Sequence, residues 1–186
     1  MFNVGDKIVY PMHGAGTIVS IEEKDVLGER QPYYILKMPG EVKVMVPIAK
    51  AEDIGVRNII DKESASKVFT SLASITPEVS MNWNKRYKDN TDKMKSGDIY
   101  ELTEVVRNLS FKQKEKGLST KEKNMLTNAR QILVSELDLA EHATQDEIET
   151  QIEDTICKSF DLYQQTAQTE NVVDDNIVKK FIPFDA

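Results

Sequence analysis

The residues with the clearest chemical potential form one short segment, in which the single tryptophan of the chain is bracketed by amides and followed by cations and a tyrosine: Asn82, Trp83, Asn84, Lys85, Arg86, Tyr87 and Lys88. Cationic side chains neutralise phosphates, amides hydrogen-bond to bases or sugars, and a large flat ring can wedge against unstacked bases. The segment therefore has the composition of a DNA contact. The alternative is a core tryptophan that anchors a loop to neighbouring helices, a common role for a lone Trp in a small domain.

The distribution of charge along the chain favours the DNA interpretation. The whole chain has 24 basic and 31 acidic residues and a net charge of −7, which taken alone argues against a nucleic-acid partner. Residues 81–130, however, contain 12 basic and 7 acidic residues, whereas residues 131–186 contain 3 and 13. A basic block thus lies beside an acidic stretch, and cations such as Lys123 and Arg130 could extend the cationic face around Trp83.

The remaining reactive side chains form no recognisable catalytic or metal site. Cys157 has no second cysteine with which to form an intramolecular disulfide, and with His13 and His142 it provides too few ligands for a zinc cage. No phosphate-binding loop, dinucleotide fingerprint or metalloprotease motif is present. We therefore predict a protein that is not an enzyme and that needs no cofactor or metal.

The elements that must position the Trp83 segment are predicted to be strands up to about residue 58 and helices after it. β-Branched and aromatic runs separated by Gly and Pro predict four or five short strands in the first part of the chain, with runs at 7–10, 16–21, 33–38 and 42–47. So few short strands are typical of a small Tudor-like or SH3-like β-barrel, which we place at residues 1–58. Such barrels are usually binding modules.

Residues 62–165 are predicted to be an all-α helical bundle, so that the chain is α+β by domains. Apolar residues recur at helical spacing, and a Ser/Thr/Pro-rich loop is predicted at residues 71–80. Ser96-Gly97-Asp98 is typical of a helix break followed by a cap, and Ser119 with Glu122 predicts a capping box. Residues 166–186 are expected to be an acidic C-terminal tail whose order the sequence leaves open.

Neither a membrane location nor an oligomer is indicated. No apolar run approaches the ~20 residues that span a bilayer, and the N-terminal residues lack the pattern of a secretory leader. We expect a cytoplasmic location. A monomer is expected because no long heptad seam is present.

Several motifs together resemble the CarD/CdnL family of bacterial transcription regulators. They occur in both parts of the chain, in the order of the family, between residue 1 and about residue 141. Besides segments 33–36 and 44–47 of the predicted barrel, the motifs are Phe2-x-x-Gly5-Asp6-x-Ile8-Val9-Tyr10-Pro11-x-His13-Gly14-x-Gly16, Asn82-Trp83-x-Lys85-Arg86-Tyr87 and Gly117-Leu118-Ser119-x-x-Glu122-Lys123-x-Met125-Leu126.

The resemblance implies two partners. The Tudor-like domain would dock on the β subunit of RNA polymerase, and the helical domain would contact promoter DNA. In the family, a Trp at the position of Trp83 wedges into the minor groove at the upstream edge of the bubble and stabilises the open complex. Association with the nucleoid would then follow from binding to polymerase.

The resemblance also assigns residues to each contact. The expected DNA-binding residues are Trp83 with the cations Lys85, Arg86, Lys88 and Lys123, and the basic face extends to Arg130. The expected polymerase-binding residues are Lys24, Val44, Met45 and Val46. Met45 lies where some family members have an arginine, so an apolar contact or strand-edge pairing would have to replace that salt bridge.

A non-enzymatic adaptor that binds a protein partner through the barrel, without touching DNA, is the alternative function. Strong salt dependence of DNA binding, and its loss in a Trp83→Ala variant, would separate the two hypotheses.

Overall fold

Two regions of different secondary structure follow one another along the chain. The computed structural model describes residues 1–75 and 82–180, with residues 167–180 described by their backbone alone. The strands come first: β1 Lys7–Tyr10, β2 Gly14–Val26, β3 Glu29–Lys37, β4 Lys43–Pro47 and β5 Arg57–Asn58. The helices follow: α1 Lys62–Leu72, α2 Trp83–Ser96, α3 Ile99–Glu115, α4 Thr120–Glu141 and α5 Gln145–Lys180. The predicted class, a small β region followed by a helical region, is confirmed.

The strands form one antiparallel sheet in the order β4-β3-β2-β1-β5. Its apolar core includes Ile8, Ile18 and Leu36, which are all completely buried. Neighbouring strands are joined by short connections, so each strand mostly pairs with the next one in sequence. This order leaves β4 at one edge of the sheet, paired with β3 alone among the described strands.

The hairpin of β2 and β3 is longer than the sequence predicts. We expected the second strand to end at residue 21, but pairing continues to Val26 opposite Glu29. Leu27 and Gly28 both have positive φ, 57° and 83°, which fits a two-residue turn whose twist matches that of the strands. The extension escaped prediction because its side chains are mostly polar, and its pairing depends on backbone hydrogen bonds and this turn.

Two of the helices begin at the caps that the sequence predicts, Asp98 and Ser119, and α2 begins at a cap that it did not predict, Asn82. The Asn82 side chain accepts from the backbone N–H of Lys85, and the Asp98 side chain caps α3. Ser119 and Glu122 form the predicted capping box at the start of α4. Each cap satisfies backbone N–H groups that have no partner within the helix, which fixes where α2, α3 and α4 begin.

The helices share one apolar core, in which Val68, Leu109, Leu133 and Ile156 are completely buried. The predicted loop begins as expected where α1 ends, at Leu72, but its residues 76–80 lie outside the described residues. α5 continues past residue 165 to Lys180, so the backbone of most of the predicted acidic tail is helical.

A polar junction joins the sheet to the helices. Glu136 of α4 is 1% exposed and accepts from Arg57 through both carboxylate oxygens, at 2.6 and 2.9 Å, and from the backbone N–H of Ile60 at 3.0 Å. Beside it, the backbone N–H of Ala15 donates to Ser135 Oγ at 2.8 Å. These bonds satisfy a buried carboxylate and fix α4 against β2 and β5.

Candidate nucleic-acid interface

Trp83 is the first residue of α2, and its indole lies partly in solvent. The side chain is 37% exposed, although tryptophan is usually well buried in a small domain. The Asn82 cap holds the helix start in place through its bond to Lys85 N at 3.1 Å. The tryptophan is therefore presented at a helix end rather than enclosed in the core.

The indole is supported from the protein side by three contacts. It stacks on Tyr87, one turn further along α2, with ring centroids 5.6 Å apart and planes 20° from parallel. Its Nε1–H donates to Ser119 Oγ at 3.3 Å. Lys121 Nζ lies 5.8 Å from the ring centroid, within the range of a cation–π contact. The ring is thus oriented before any ligand arrives.

Behind this aromatic pair lies a buried ion pair. Arg86 is 8% exposed and Glu122 2%, and Glu122 Oε1 accepts from Arg86 Nε at 2.8 Å and from a terminal guanidinium nitrogen at 2.6 Å. Burial raises the pKa of Glu122, but hydrogen bonds from Arg86 and Ser119 outweigh it and hold the pKa below its ordinary value. Glu122 therefore stays ionised and joins α2 to the start of α4.

This placement bears on the prediction that Arg86 contacts DNA. The guanidinium is held by a carboxylate inside the protein, not presented on the surface. The geometry gives it a positioning role, in which it holds the helix start that carries Trp83. Its contribution to DNA binding stays a prediction.

The other predicted DNA-binding cations are placed differently. Lys85, Lys88 and Lys123 are exposed, the first two on the same helix as Trp83. Arg130 is half-buried and forms an ion pair with Glu153 of α5. The surface around Trp83 therefore carries exposed cationic side chains, whereas Arg130 lies further along α4 in a contact between helices.

Sequence reasoning missed three residues that support the indole. Tyr87 was quoted only as part of a motif, although its spacing of four from Trp83 already places it on the same helix face. Lys121 lies within the basic block of residues 81–130, but its residue type alone did not place it over the indole. Ser119 was recognised as a cap, but nothing in the sequence indicated that its hydroxyl, 36 residues away, would meet the indole.

The residues predicted to bind polymerase lie on the sheet. On the edge strand β4, Met45 is 49% exposed, Val44 is half-buried, and Val46 is completely buried in the core of the sheet. Lys24 lies in the extended β2–β3 hairpin, exposed and paired with Glu22 at 2.7 Å. The structure thus brings Val44 and Met45 together at an open sheet edge, with only the backbone of Val46 available there.

Neither a metal cluster nor a membrane-spanning helix is found among the described residues. No group of three or more His, Cys, Asp or Glu side chains in this range could hold a metal ion. Among the helices described, none combines the length and apolar character needed to cross a membrane.

Comparison with known proteins gives matches over both regions. Residues 2–60 match the family model described as "CarD-like/TRCF RID domain", and residues 67–153 match the model "CarD, C-terminal domain". The chain is also 42% identical over 151 residues to the Bacillus subtilis (strain 168) protein named "Putative transcription factor YdeB". That alignment covers 81% of this chain and 99% of the Bacillus protein.

Proposed function

Because the chain belongs to the CarD family of transcription factors, we propose that it regulates transcription by docking on the β subunit of RNA polymerase and placing Trp83 at the upstream edge of the promoter bubble. There the indole would hinder closure of the melted DNA and so stabilise the open complex. A role in transcription regulation follows from the family. The docking site, the wedge and its effect are our proposal.

The observation that carries the proposal is the exposed, pre-oriented indole of Trp83. Stacking on Tyr87 and the bond to Ser119 Oγ hold the ring at a helix end. An apolar wedge must unstack a base step, which costs a few kcal/mol in duplex DNA and least where the duplex is already distorted. A ring held in place loses little conformational entropy on insertion, so the edge of a bubble is its favoured site.

The exposed lysines supply the accompanying attraction to phosphates. Lys85 and Lys88 share α2 with the indole, and Lys121 and Lys123 lie in the first turn of α4 beside it. A few cations give weak, salt-dependent affinity for free DNA. Docking on polymerase would raise the effective concentration of the helical region at the promoter, so weak DNA contacts would suffice.

The open edge of the sheet supports the polymerase contact. β4 pairs with β3 alone among the described strands, and Met45 presents an apolar side chain there. An exposed strand edge can add a strand from a partner, whose backbone then completes the sheet. The match to a domain type shared with TRCF is consistent with a polymerase partner. The exposed thioether would replace the salt bridge available to relatives with arginine at this position.

The lifetime of promoter open complexes formed by the cognate polymerase tests the proposal. We expect the native protein to lengthen the lifetime several-fold and Trp83→Ala to abolish most of this effect. Tyr100→Ala is the matched control, since Tyr100 is also 37% exposed and lies in the first turn of the next helix. Circular dichroism would verify that all three proteins are folded. Equal lifetimes with native protein and Trp83→Ala would contradict the wedge.

Binding to a fragment of the polymerase β subunit tests the docking site separately. Met45→Asp should weaken binding by about tenfold or more, as expected for a central interface residue. Val4→Asp, at another exposed apolar residue of the N-terminal region, should have little effect. If Met45→Asp abolishes binding while Trp83→Ala changes neither DNA affinity nor lifetime, the protein is an adaptor that acts without DNA contact.

A further inference from the structure

A groove between α3, α4 and α5 has features that the proposed transcription function does not use. Its volume is about 530 Å³, within the range of small-molecule sites. It is separate from the indole of Trp83, although Lys123 borders it. Three cations and one carboxylate line it, together with a buried hydroxyl: Lys114, Lys123, Arg130, Glu153 and Ser110.

The hydroxyl of Ser110 is the first unexplained feature. The residue is 3% exposed, yet its Oγ has no hydrogen-bond partner among the described residues. Other buried hydroxyls on the helices are satisfied: Thr103 Oγ1 donates to Ile99 O at 2.6 Å, and Ser159 Oγ to Thr155 O at 2.8 Å. A buried polar atom without a partner is costly, and its presence in a groove indicates a ligand that would complete it.

Arg130 provides a second donor without a partner. One terminal nitrogen of its guanidinium binds Glu153, but its Nε is buried and unpaired within the described part of the chain. Glu153 also accepts from Lys114 Nζ at 3.1 Å. Burial raises the pKa of Glu153, but these cationic hydrogen bonds outweigh it and lower the pKa to about 2. The carboxylate is therefore ionised, and the three cations leave the lining with a net positive charge.

We propose that this groove binds the phosphate group of a small phosphorylated molecule. Ser110 Oγ and Arg130 Nε–H would donate to the phosphate oxygens, and Lys114 and Lys123 would balance their charge. Such charge-assisted hydrogen bonds are among the strongest available to a protein, and the phosphate has enough acceptors to satisfy both unpaired donors.

A phosphate of the DNA backbone is a less suitable occupant. Ser110 is 3% exposed, and a duplex phosphodiester is bonded on both sides to bulky sugars that would stop it at the groove mouth. A free phosphate or a terminal phosphate carries no such restriction. Of the cations expected at DNA, two, Lys123 and Arg130, also line the groove.

The test uses inorganic pyrophosphate as the probe, titrated into the full chain at constant ionic strength and followed by calorimetry. We expect saturable binding to the native protein and about tenfold weaker binding to Ser110→Ala. Ser159→Ala is the matched control, because it also removes a buried hydroxyl but one outside the groove. It should leave pyrophosphate affinity unchanged. Lys50→Ala controls for general loss of positive charge.

Unfolding of the unliganded variants gives an independent readout. Since Ser110 Oγ has no internal partner, Ser110→Ala should unfold at the same midpoint as the native protein or higher. Ser159→Ala should unfold at a lower midpoint, because it loses a satisfied hydroxyl. If Ser110→Ala lowered the unfolding midpoint as much as Ser159→Ala does, the Ser110 hydroxyl would have a structural partner, and the proposal would be overturned.

Three further results would also overturn it. The first is that pyrophosphate binds no more tightly than chloride. The second is that Lys50→Ala weakens pyrophosphate binding as much as Ser110→Ala does. The third is a loss of affinity for a short DNA duplex in Ser110→Ala without any pyrophosphate binding, which would assign the hydroxyl to the DNA backbone.

Discussion

Replacing Glu122 by glutamine removes one charge of the buried pair behind the indole. The change preserves the size of the side chain but removes the carboxylate charge that faces the buried guanidinium of Arg86. Breaking a buried pair from one side costs about 3–5 kcal/mol. The glutamine amide oxygen can still accept one bond from Arg86 or Ser119, so we expect a value near the lower limit, about 3 kcal/mol. For a chain of this size that loss corresponds to about 6–12 °C in melting temperature.

Urea unfolding measures this loss, and the single tryptophan makes the assay specific to the site. Emission from Trp83 reports on the α2–α4 contact, and far-ultraviolet circular dichroism reports on all the helices. In Glu122→Gln both transitions should move to lower urea, with the fluorescence transition moving at least as far. Glu63→Gln is the control, because Glu63 pairs with Lys67 on the exposed face of α1 and should cost less than about 0.5 kcal/mol.

A loss below about 1 kcal/mol in Glu122→Gln would refute the reasoning. The guanidinium would then have a satisfactory environment without Glu122, either in solvent or on another partner. Arg86 would regain the role of surface cation that the sequence predicts. Its substitution by alanine would then weaken DNA binding without lowering the free energy of unfolding.

Three other variants test separate contacts. Gly14 has a φ of +104°, and an added Cβ would lie 2.7 Å from Ser135 Oγ, so Gly14→Ala should lower the free energy of unfolding in urea by about 2–3 kcal/mol. Gly28→Ala is the control: its φ is also positive, +83°, but an added Cβ would have no atom within 4 Å, so the cost should be about 1 kcal/mol. Lys85→Ala should lower by about 1 the slope of log affinity against log salt in DNA titrations, and an unchanged slope would remove Lys85 from the phosphate contacts. Glu153 has a pKa of about 2, below its ordinary value of 4.5, so its contribution to stability should be lost as the pH falls from ~5 to ~2. The unfolding midpoints of Glu153→Gln should depend less on pH over that window, and equal dependence would refute this assignment.

Local sequence signals were enough for the fold class and for the starts of α3 and α4. Asp98 and the pair Ser119 and Glu122 act within one turn of their own helix, so residue type and spacing define these caps. The strands β1 and β4, and parts of β2 and β3, were likewise visible as apolar runs. The extension of β2 to Val26 was not, because backbone pairing leaves no apolar signature in the side chains.

The candidate site was predictable in composition but not in arrangement. The same basic segment contains Lys85, which is exposed, and Arg86, which is buried, and their types alone do not distinguish them. The difference arises from Glu122, which lies 36 residues from Arg86 and meets it only when α2 packs on α4. Alternation along a strand, in contrast, could have shown that Val46 points to the core while Met45 points out.

The junction at Glu136 also has a consequence for the order in which the chain is completed on the ribosome. Arg57 is synthesised 79 residues before the carboxylate that it will bind. At ordinary elongation rates this separation is about 4–16 s, long enough for the small sheet to form first. During that interval the guanidinium can stay hydrated at the sheet surface. When α4 emerges, Glu136 therefore meets donors that are already in place, and the nascent sheet serves as the template against which α4 is oriented.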